Sequence, residues 1–215
     1  MAKQQIDAII PSYKEEKRIE KVIKELVKSK KINKIIVVDD GSKDKTKEIV
    51  KKYSPRVRYI ANEKNMGKGY SMNQGVKNSK ARIIVFCDAD LKNITPEIIN
   101  DIINNLLKGD YEMFIANRKI SNFDNKFFNW SGQRVIRKEL WERIPNFYKK
   151  GFRIEIGMNI FCKKYGHKSY NYSQTIKESK RGLAWGLYRR FFMYYQLISA
   201  VIRYYFYDQF KIRNK

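Results

Sequence analysis

Histidine and cysteine are nearly missing from this sequence: one histidine, His167, and two cysteines, Cys87 and Cys162, in 215 residues. No CxxC or Cys/His ligand spacing occurs, which argues against a structural zinc site. Two cysteines so far apart make no disulfide framework and fit a reducing compartment. The amino terminus, "MAKQQIDAIIPSYKEE", has no apolar signal-peptide core, so the expectation is a protein that is not exported. No uninterrupted apolar run reaches the roughly 20 residues of a membrane span. Acids are scarce too. There are 46 Lys and Arg against 22 Asp and Glu, a net charge of +24. Such a balance predicts attraction to polyanions: nucleic acid, anionic lipid or phosphorylated small molecules. No helix-turn-helix, zinc-finger or RNP-like signature accompanies it, so a basic nucleic-acid-binding protein stands as the alternative of another class.

What is present is an alternation of two periods. "IDAII" (6–10) is a short apolar run ended by Pro11, and Ile19, Val22, Ile23, Leu26 and Val27 follow at helical spacing. "KIIVVDDG" (34–41) reads as a second strand entering a turn. A short helix carrying Ile49, Val50 and Tyr53 comes next, then a third strand, "VRYIA" (57–61). The "NMGKG" loop leads into another helix, and "RIIVFCDAD" (82–90) is the fourth strand. Thr95 as N-cap and Pro96 in the first turn start a helix whose buried face is Ile98, Ile99, Ile102, Ile103, Leu106 and Leu107. Gly109 ends it, and "YEMFIA" (111–116) is a fifth strand. Beyond an irregular polar and aromatic stretch, 117–135, "RKELWERI" and "FRIEIGMNIFCKKYG" read as helices and "HKSYNYS" as a strand.

This order predicts an α/β fold with a mostly parallel, twisted sheet covered by helices on both sides. Ligands of such sheets bind outside the carboxyl ends of the strands, where Asp39, Asp40, Asp88 and Asp90 all fall. Two carboxylates separated by one residue at a strand end can hold a divalent cation, which in turn grips a diphosphate. Ordinary turn chemistry is the competing explanation.

Four motifs stand in succession: "AIIPSYKEEKRI", "IIVVDDGSKDKT", "NEKNMGKGYSMNQGV" and "RIIVFCDADL". In this the chain resembles the family 2 glycosyltransferases, and among them the dolichol- and polyprenyl-phosphate hexosyltransferases. The likeness is close over residues 5–118 and looser through "SGQRVIRKELWERIP" and "GFRIEIGMNIFCKKYGHK". It implies a GT-A fold: a nucleotide-sugar-binding half over 1–118, an acceptor-side half over 119–178 and an amphipathic helical tail over 179–215. It also implies an inverting transfer of a hexose from a UDP- or GDP-sugar, assisted by Mg2+ or Mn2+.

Residue by residue, the resemblance places Pro11, Tyr13 and Glu15 around base and ribose, with Asp39 hydrogen-bonding one of them and Asp40 orienting its turn. Lys68 adds a cation beside the nucleotide. Asp88 and its neighbour Ala89 meet ribose or metal, and Asp90 binds the metal and so serves catalysis. Arg118 faces an acceptor phosphate, Arg134 and Arg137 are partners for an anionic acceptor, Glu155 is the candidate base, and His167 is a candidate third metal ligand. One departure is Lys92, where those relatives usually carry glutamine; an ammonium cannot replace an amide oxygen as a metal ligand.

The tail, "GLAWGLYRRFFMYYQLISAVIRYYFYDQF", bears on the acceptor. From Gly166 onward there are ten Lys and Arg against two acids. As a helix the tail is apolar and aromatic around most of its circumference, with Arg189, Gln196, Ser199 and Arg203 on one narrow stripe. Such a helix needs cover. A membrane surface ranks first, a homodimer second and an ordinary core third, tyrosine and tryptophan beside basic residues suiting the headgroup region. The expectation is therefore a cytoplasmic enzyme, peripheral on the inner face of the membrane and serving the cell envelope, with a lipid-linked acceptor such as a polyprenyl phosphate or glycolipid. A soluble anionic acceptor, such as a phosphorylated three-carbon acid, is the alternative.

Overall fold

The apolar runs of the first half become the middle of one sheet. A computed structural model describes residues 4–109, 111–117, 132–162, 167–171 and 183–208. The chain runs β1 (Ile6–Ser12), α1 (Ile19–Lys28), β2 (Lys34–Asp39), α2 (Thr46–Lys51), β3 (Val57–Ala61), α3 (Lys68–Lys77), β4 (Ile83–Phe86) and α4 (Pro96–Lys108). It continues β5 (Met113–Asn117), β6 (Arg134–Arg137), α5 (Lys138–Arg143), α6 (Arg153–Cys162), β7 (His167–Asn171) and α7 (Leu183–Arg203), closing in a π-helical turn over Tyr204–Asp208. Among the described residues the strands form a seven-stranded sheet in the order β3-β2-β1-β4-β6-β5-β7. Only β6 runs antiparallel to its neighbours.

Alternation within the strands supplies two cores, one per face. Ile6, Ala8, Ile10, Ile35, Val37, Ile83 and Val85 pack with the apolar stripes of α1 and α4. Ile9, Ile36, Val38, Ile84 and Phe86 point the other way, against α3, α5, α6 and α7. A sheet buried on both faces needs the nearly continuous Val/Ile runs seen in β1, β2 and β4. α4 starts as its sequence dictates, the Thr95 side chain accepting from Ile98 N and Pro96 filling the first turn. β1 runs on through Pro11, past the point expected. Pro11 pairs with Val38 of β2, whereas β4 has already ended opposite Ile9, so the missing amide interrupts no ladder on that side.

Two expectations change here. Residues 134 and 135, expected to end an irregular stretch, and Arg137, expected to open a helix, belong to β6, a strand inserted between β4 and β5. The tail helix is inverted as well: Gln196, Leu197, Ala200 and, in the following turn, Asp208 are its buried positions. Its outer face is aromatic, with Phe191 80% and Phe206 73% exposed and Tyr195, Ile198 and Tyr207 more than half exposed. No described helix is long and apolar enough to cross a membrane.

Candidate active site

The site lies where β1, β2 and β4 end. Asp39 terminates β2 and is almost sealed, 2% exposed. One of its oxygens accepts from the Tyr59 hydroxyl at 2.6 Å and the other from Ser42 N at 3.1 Å. Burial, and then the Asp39 hydrogen bond, raise the Tyr59 pKa, so this phenol stays a donor. Asp39 thus has intramolecular partners on both oxygens, which the sequence does not foretell.

Asp40 does what its turn position implies. It accepts from Asn62 Nδ2 at 2.8 Å, Met66 N at 2.9 Å and Gly67 N at 2.7 Å, tying the 62–67 loop to the end of β2. Hydrogen bonds to a carboxylate contribute about 1.5–3 kcal/mol each at most. Asp40→Ala should therefore lower stability by about 2–4 kcal/mol, measured by urea denaturation; a loss below 1 kcal/mol would show that the loop holds itself.

Pro11 and Tyr13 are half-buried and lead into a turn where Lys14 takes a left-handed backbone, φ 56°. Lys14 N donates to Ser42 Oγ at 2.8 Å, which joins this turn to the one after Asp39. Glu15 is not one more solvated charge of the first helix. It is buried and accepts from Arg18 Nε at 2.6 Å.

Below this edge lies a charge cluster. Lys68, first residue of α3, places Nζ 2.8 Å from Asp88 Oδ1 and 2.8 Å from Glu155 Oε1. Burial alone would disfavour the ammonium, but Asp88 and Glu155 outweigh it and hold the Lys68 pKa above its usual value. Gln133 Nε2 donates to Asp88 Oδ2 at 3.0 Å, so both Asp88 oxygens have partners. Gly132 packs so closely that a Cβ there would collide with the Asp88 carboxylate and the Lys68 ammonium. Asp90 sits two residues on, in the turn that follows the buried Ala89. Burial first, and then the Asp88 charge, push its carboxyl above the ordinary range, with Lys68 and Arg18 acting in opposition.

Asp90 is therefore a partly buried carboxylate beside a second carboxylate. That donor set fits a hard divalent cation which takes one or two carboxylates and completes its shell from a substrate's oxygens and water. It does not form a cage by itself. Among the described residues no group of three or more His, Cys, Asp or Glu side chains could hold a metal ion.

Of three further expected partners, one is buried beside the cluster and two lie away from it. Arg134 is fully buried, its guanidinium donating to Asn159 Oδ1 at 2.5 Å and contacting Met113 Sδ at 3.5 Å. Its charge is disfavoured by burial and supported by Glu155, Cys162 and Asp88, so the guanidinium is a buried neighbour of the cluster. Arg137 pairs with Ile83, at the amino end of β4, and its Nε donates to Tyr111 O; antiparallel β6 carries it away from the Asp edge. His167 opens β7 opposite Met113, and Met113 is in turn level with Ile136 and Ile84. Its backbone stands four residues short of Asp88 along the sheet, a position that does not suit a metal ligand at the carboxyl edge. Arg118 lies outside the described residues.

The comparisons agree with this geometry. The model of glycosyl transferase family 2 matches residues 7–173, well over half of the chain. The chain is 35% identical over 196 residues to an uncharacterized protein of Methanocaldococcus jannaschii, covering 77% of this chain and 79% of that one. It is 35% identical over 128 residues to the human dolichyl-phosphate beta-glucosyltransferase, covering 52% of this chain and 40% of that longer relative. Among solved structures, glucosyl-3-phosphoglycerate synthase from Mycobacterium tuberculosis, in complex with Mn2+, UDP and glucosyl-3-phosphoglycerate, superposes with a TM-score of 0.78 at 21% identity. The match covers 93% of this chain and 80% of that one. An acid-tipped, mostly parallel sheet of this order is a GT-A-like fold. The chain belongs to glycosyl transferase family 2.

Proposed function

We propose that the chain moves a hexose from a UDP-sugar to an anionic, lipid-linked acceptor such as a polyprenyl phosphate, in one inverting displacement. The observation that carries this is the convergence of Asp88, Asp90, Lys68 and Glu155 at the end of β4, on a molecule that also exposes an aromatic helix face. The acceptor oxygen bonds to the anomeric carbon as the bond to the diphosphate breaks, and the nucleoside diphosphate leaves with the electron pair.

Pro11 and Tyr13 border base and ribose, and Asp39 fixes that wall through Ser42 and Tyr59. Asp90, with Asp88, holds the cation, Mg2+ or Mn2+. When bound, that cation stabilises charge developing on the leaving diphosphate. Lys68 orients Asp88 and supplies positive charge one side chain away.

Glu155 bears on the acceptor. Its Oε1 is taken up by the Lys68 ammonium at 2.8 Å, so that oxygen is engaged in an ion pair and does not face an incoming hydroxyl unpartnered. A sugar hydroxyl needs a base, whereas a phosphate with a second pKa of ~6 is already largely ionised and needs only positioning. Lys68–Glu155 pairing therefore favours the phosphate acceptor.

The test is a screen of UDP- and GDP-sugars with Mn2+ for nucleoside-diphosphate release. Wild type should act on at least one donor and Asp90→Ala on none; identical behaviour towards every donor would remove the site from the reaction.

The outer face of α7 supports a membrane surface as the place of reaction. Exposed aromatic patches of this kind mark interaction sites, and a strongly basic chain suits an anionic leaflet. In flotation with vesicles containing phosphatidylserine, wild type should float and Phe191→Ser/Tyr195→Ser/Phe206→Ser should float at least about fivefold less, a loss of ~1 kcal/mol of binding. Equal flotation, or a wild type that forms a dimer and does not float, would replace the bilayer with a second copy of the chain.

A further inference from the structure

Gln196 is a buried amide on the inner face of a helix whose other buried positions are mainly apolar. Its Oε1 accepts from Phe152 N at 2.7 Å. One turn on, Ser199 Oγ accepts from Arg153 Nε at 3.0 Å and donates to Gln196 O at 2.7 Å. α7 therefore holds two consecutive residues of the turn that starts α6. Gly151, just before them, has a positive φ of 59°, and a Cβ there would run into the Gln196 amide.

The same turn supports both ends of the Lys68–Glu155 bridge. Gly151 O accepts from Gly69 N at 2.9 Å, the residue after Lys68. Gly69 also lies so close to the 149–151 backbone that an added Cβ would stand 2.9 Å from Gly151 O. Glu155 follows three residues after Phe152 and its amide points back at Phe152 O, 3.4 Å away. Lys68 and Glu155, 87 residues apart in sequence, thus hang from one turn, and Gln196 is a side chain that holds its backbone.

We infer that Gln196 is a positioning residue of the transferase: it acts through the 151–152 turn to keep Lys68 between Asp88 and Glu155. This rests on the transferase reading for its kinetic consequence but not for its structural one. A ~1 Å displacement of a reacting group can cost on the order of 100-fold in rate, so an amide two contacts away has a measurable effect.

The experiment compares Gln196→Ala and Gln196→Glu with Leu197→Ala, an adjacent buried position on the same helix that contributes packing alone. With UDP-glucose and Mn2+, Gln196→Ala should lower kcat for UDP release about tenfold and leave KM within about twofold, the pattern of an interaction used in the transition state. Gln196→Glu keeps an acceptor for Phe152 N and should recover to within about threefold of wild type. Leu197→Ala should unfold at a lower temperature yet keep kcat. In hydrogen exchange, the Gly69 amide should exchange at least about tenfold faster in Gln196→Ala, beyond any change in the slowest amides of β1 and β2.

Wild-type kcat in Gln196→Ala, or an equal loss in Leu197→Ala, would overturn the inference. So would unchanged protection of Gly69. A wild type inert towards UDP-glucose would count against the proposed donor, while the exchange result would still decide the role of Gln196.

Discussion

Asp90→Asn should reduce nucleoside-diphosphate release by about 100- to 1,000-fold, the range lost when one electrostatic group at a developing charge is removed, while the melting temperature stays level or rises. The two effects have opposite signs for one reason. Burial and the neighbouring Asp88 raise the Asp90 pKa in the folded chain. A carboxyl whose folded pKa is raised opposes folding once ionised, so its contribution to stability is most favourable at low pH and declines as pH rises through the unfolded value. An amide cannot ionise, so it removes that cost together with the proposed cation ligand. Differential scanning calorimetry beside a UDP-release assay makes the comparison. A variant that loses activity and stability in parallel would mark Asp90 as a structural turn residue.

Lys68→Met should have the second large effect, in stability as well as rate. The ammonium is the shared partner of Asp88 and Glu155, whose side chains are 18% and 10% exposed. Removing it leaves two carboxylates facing one another in a poorly solvated place. Breaking a fully buried pair costs 3–5 kcal/mol, and the residual solvent access here lowers the expectation to about 2–3 kcal/mol. Glu155→Gln in that background should return ~1 kcal/mol or more, because it removes one of the two unmatched charges. Urea denaturation of the four combinations measures the coupling. A Lys68→Met variant within 0.5 kcal/mol of wild type would mean that solvent and the Gln133 hydrogen bond already stabilise the Asp88 carboxylate.

The first half of the sheet was legible because it is built from local signals. β1, β2 and β4 are apolar runs that end at acids or turn residues, and α1 and α4 carry stripes at helical spacing with a clear cap at Thr95. Asp40 was legible for the same reason, since a turn carboxylate needs only nearby amides. The Lys68 bridge was not, because nothing within residues 65–70 says that the partners are 20 and 87 positions away. β6 hid in four residues with an arginine at each end, and a fully buried Arg134 contradicts every composition-based expectation for that residue type. His167 and Arg137 were misplaced by strand direction and register, which depend on long-range pairing. The tail was read as a helix, and a helix stands there. Which side it turns inward follows from hydrogen bonds to Phe152 and Arg153, invisible to a hydropathy pattern.

These corrections narrow the chemistry. Among the described residues the positive charges near the end of β4 are the paired Lys68 and the buried Arg134, with Arg18 also acting on Asp90 and Arg137 at the far edge. The proposed site thus has acids for a cation, and its lysine is paired with both Asp88 and the candidate base Glu155. That arrangement suits an acceptor that arrives already ionised.

The most direct measurement is the anomalous scattering of Mn2+ in crystals grown with UDP. The account predicts a manganese peak within bonding distance of the Asp90 carboxylate, with the diphosphate against it and Lys68 still bridging Asp88 and Glu155. Manganese and UDP bound away from Asp90, or UDP seated at the β4 edge with no peak beside it at saturating Mn2+, would contradict it.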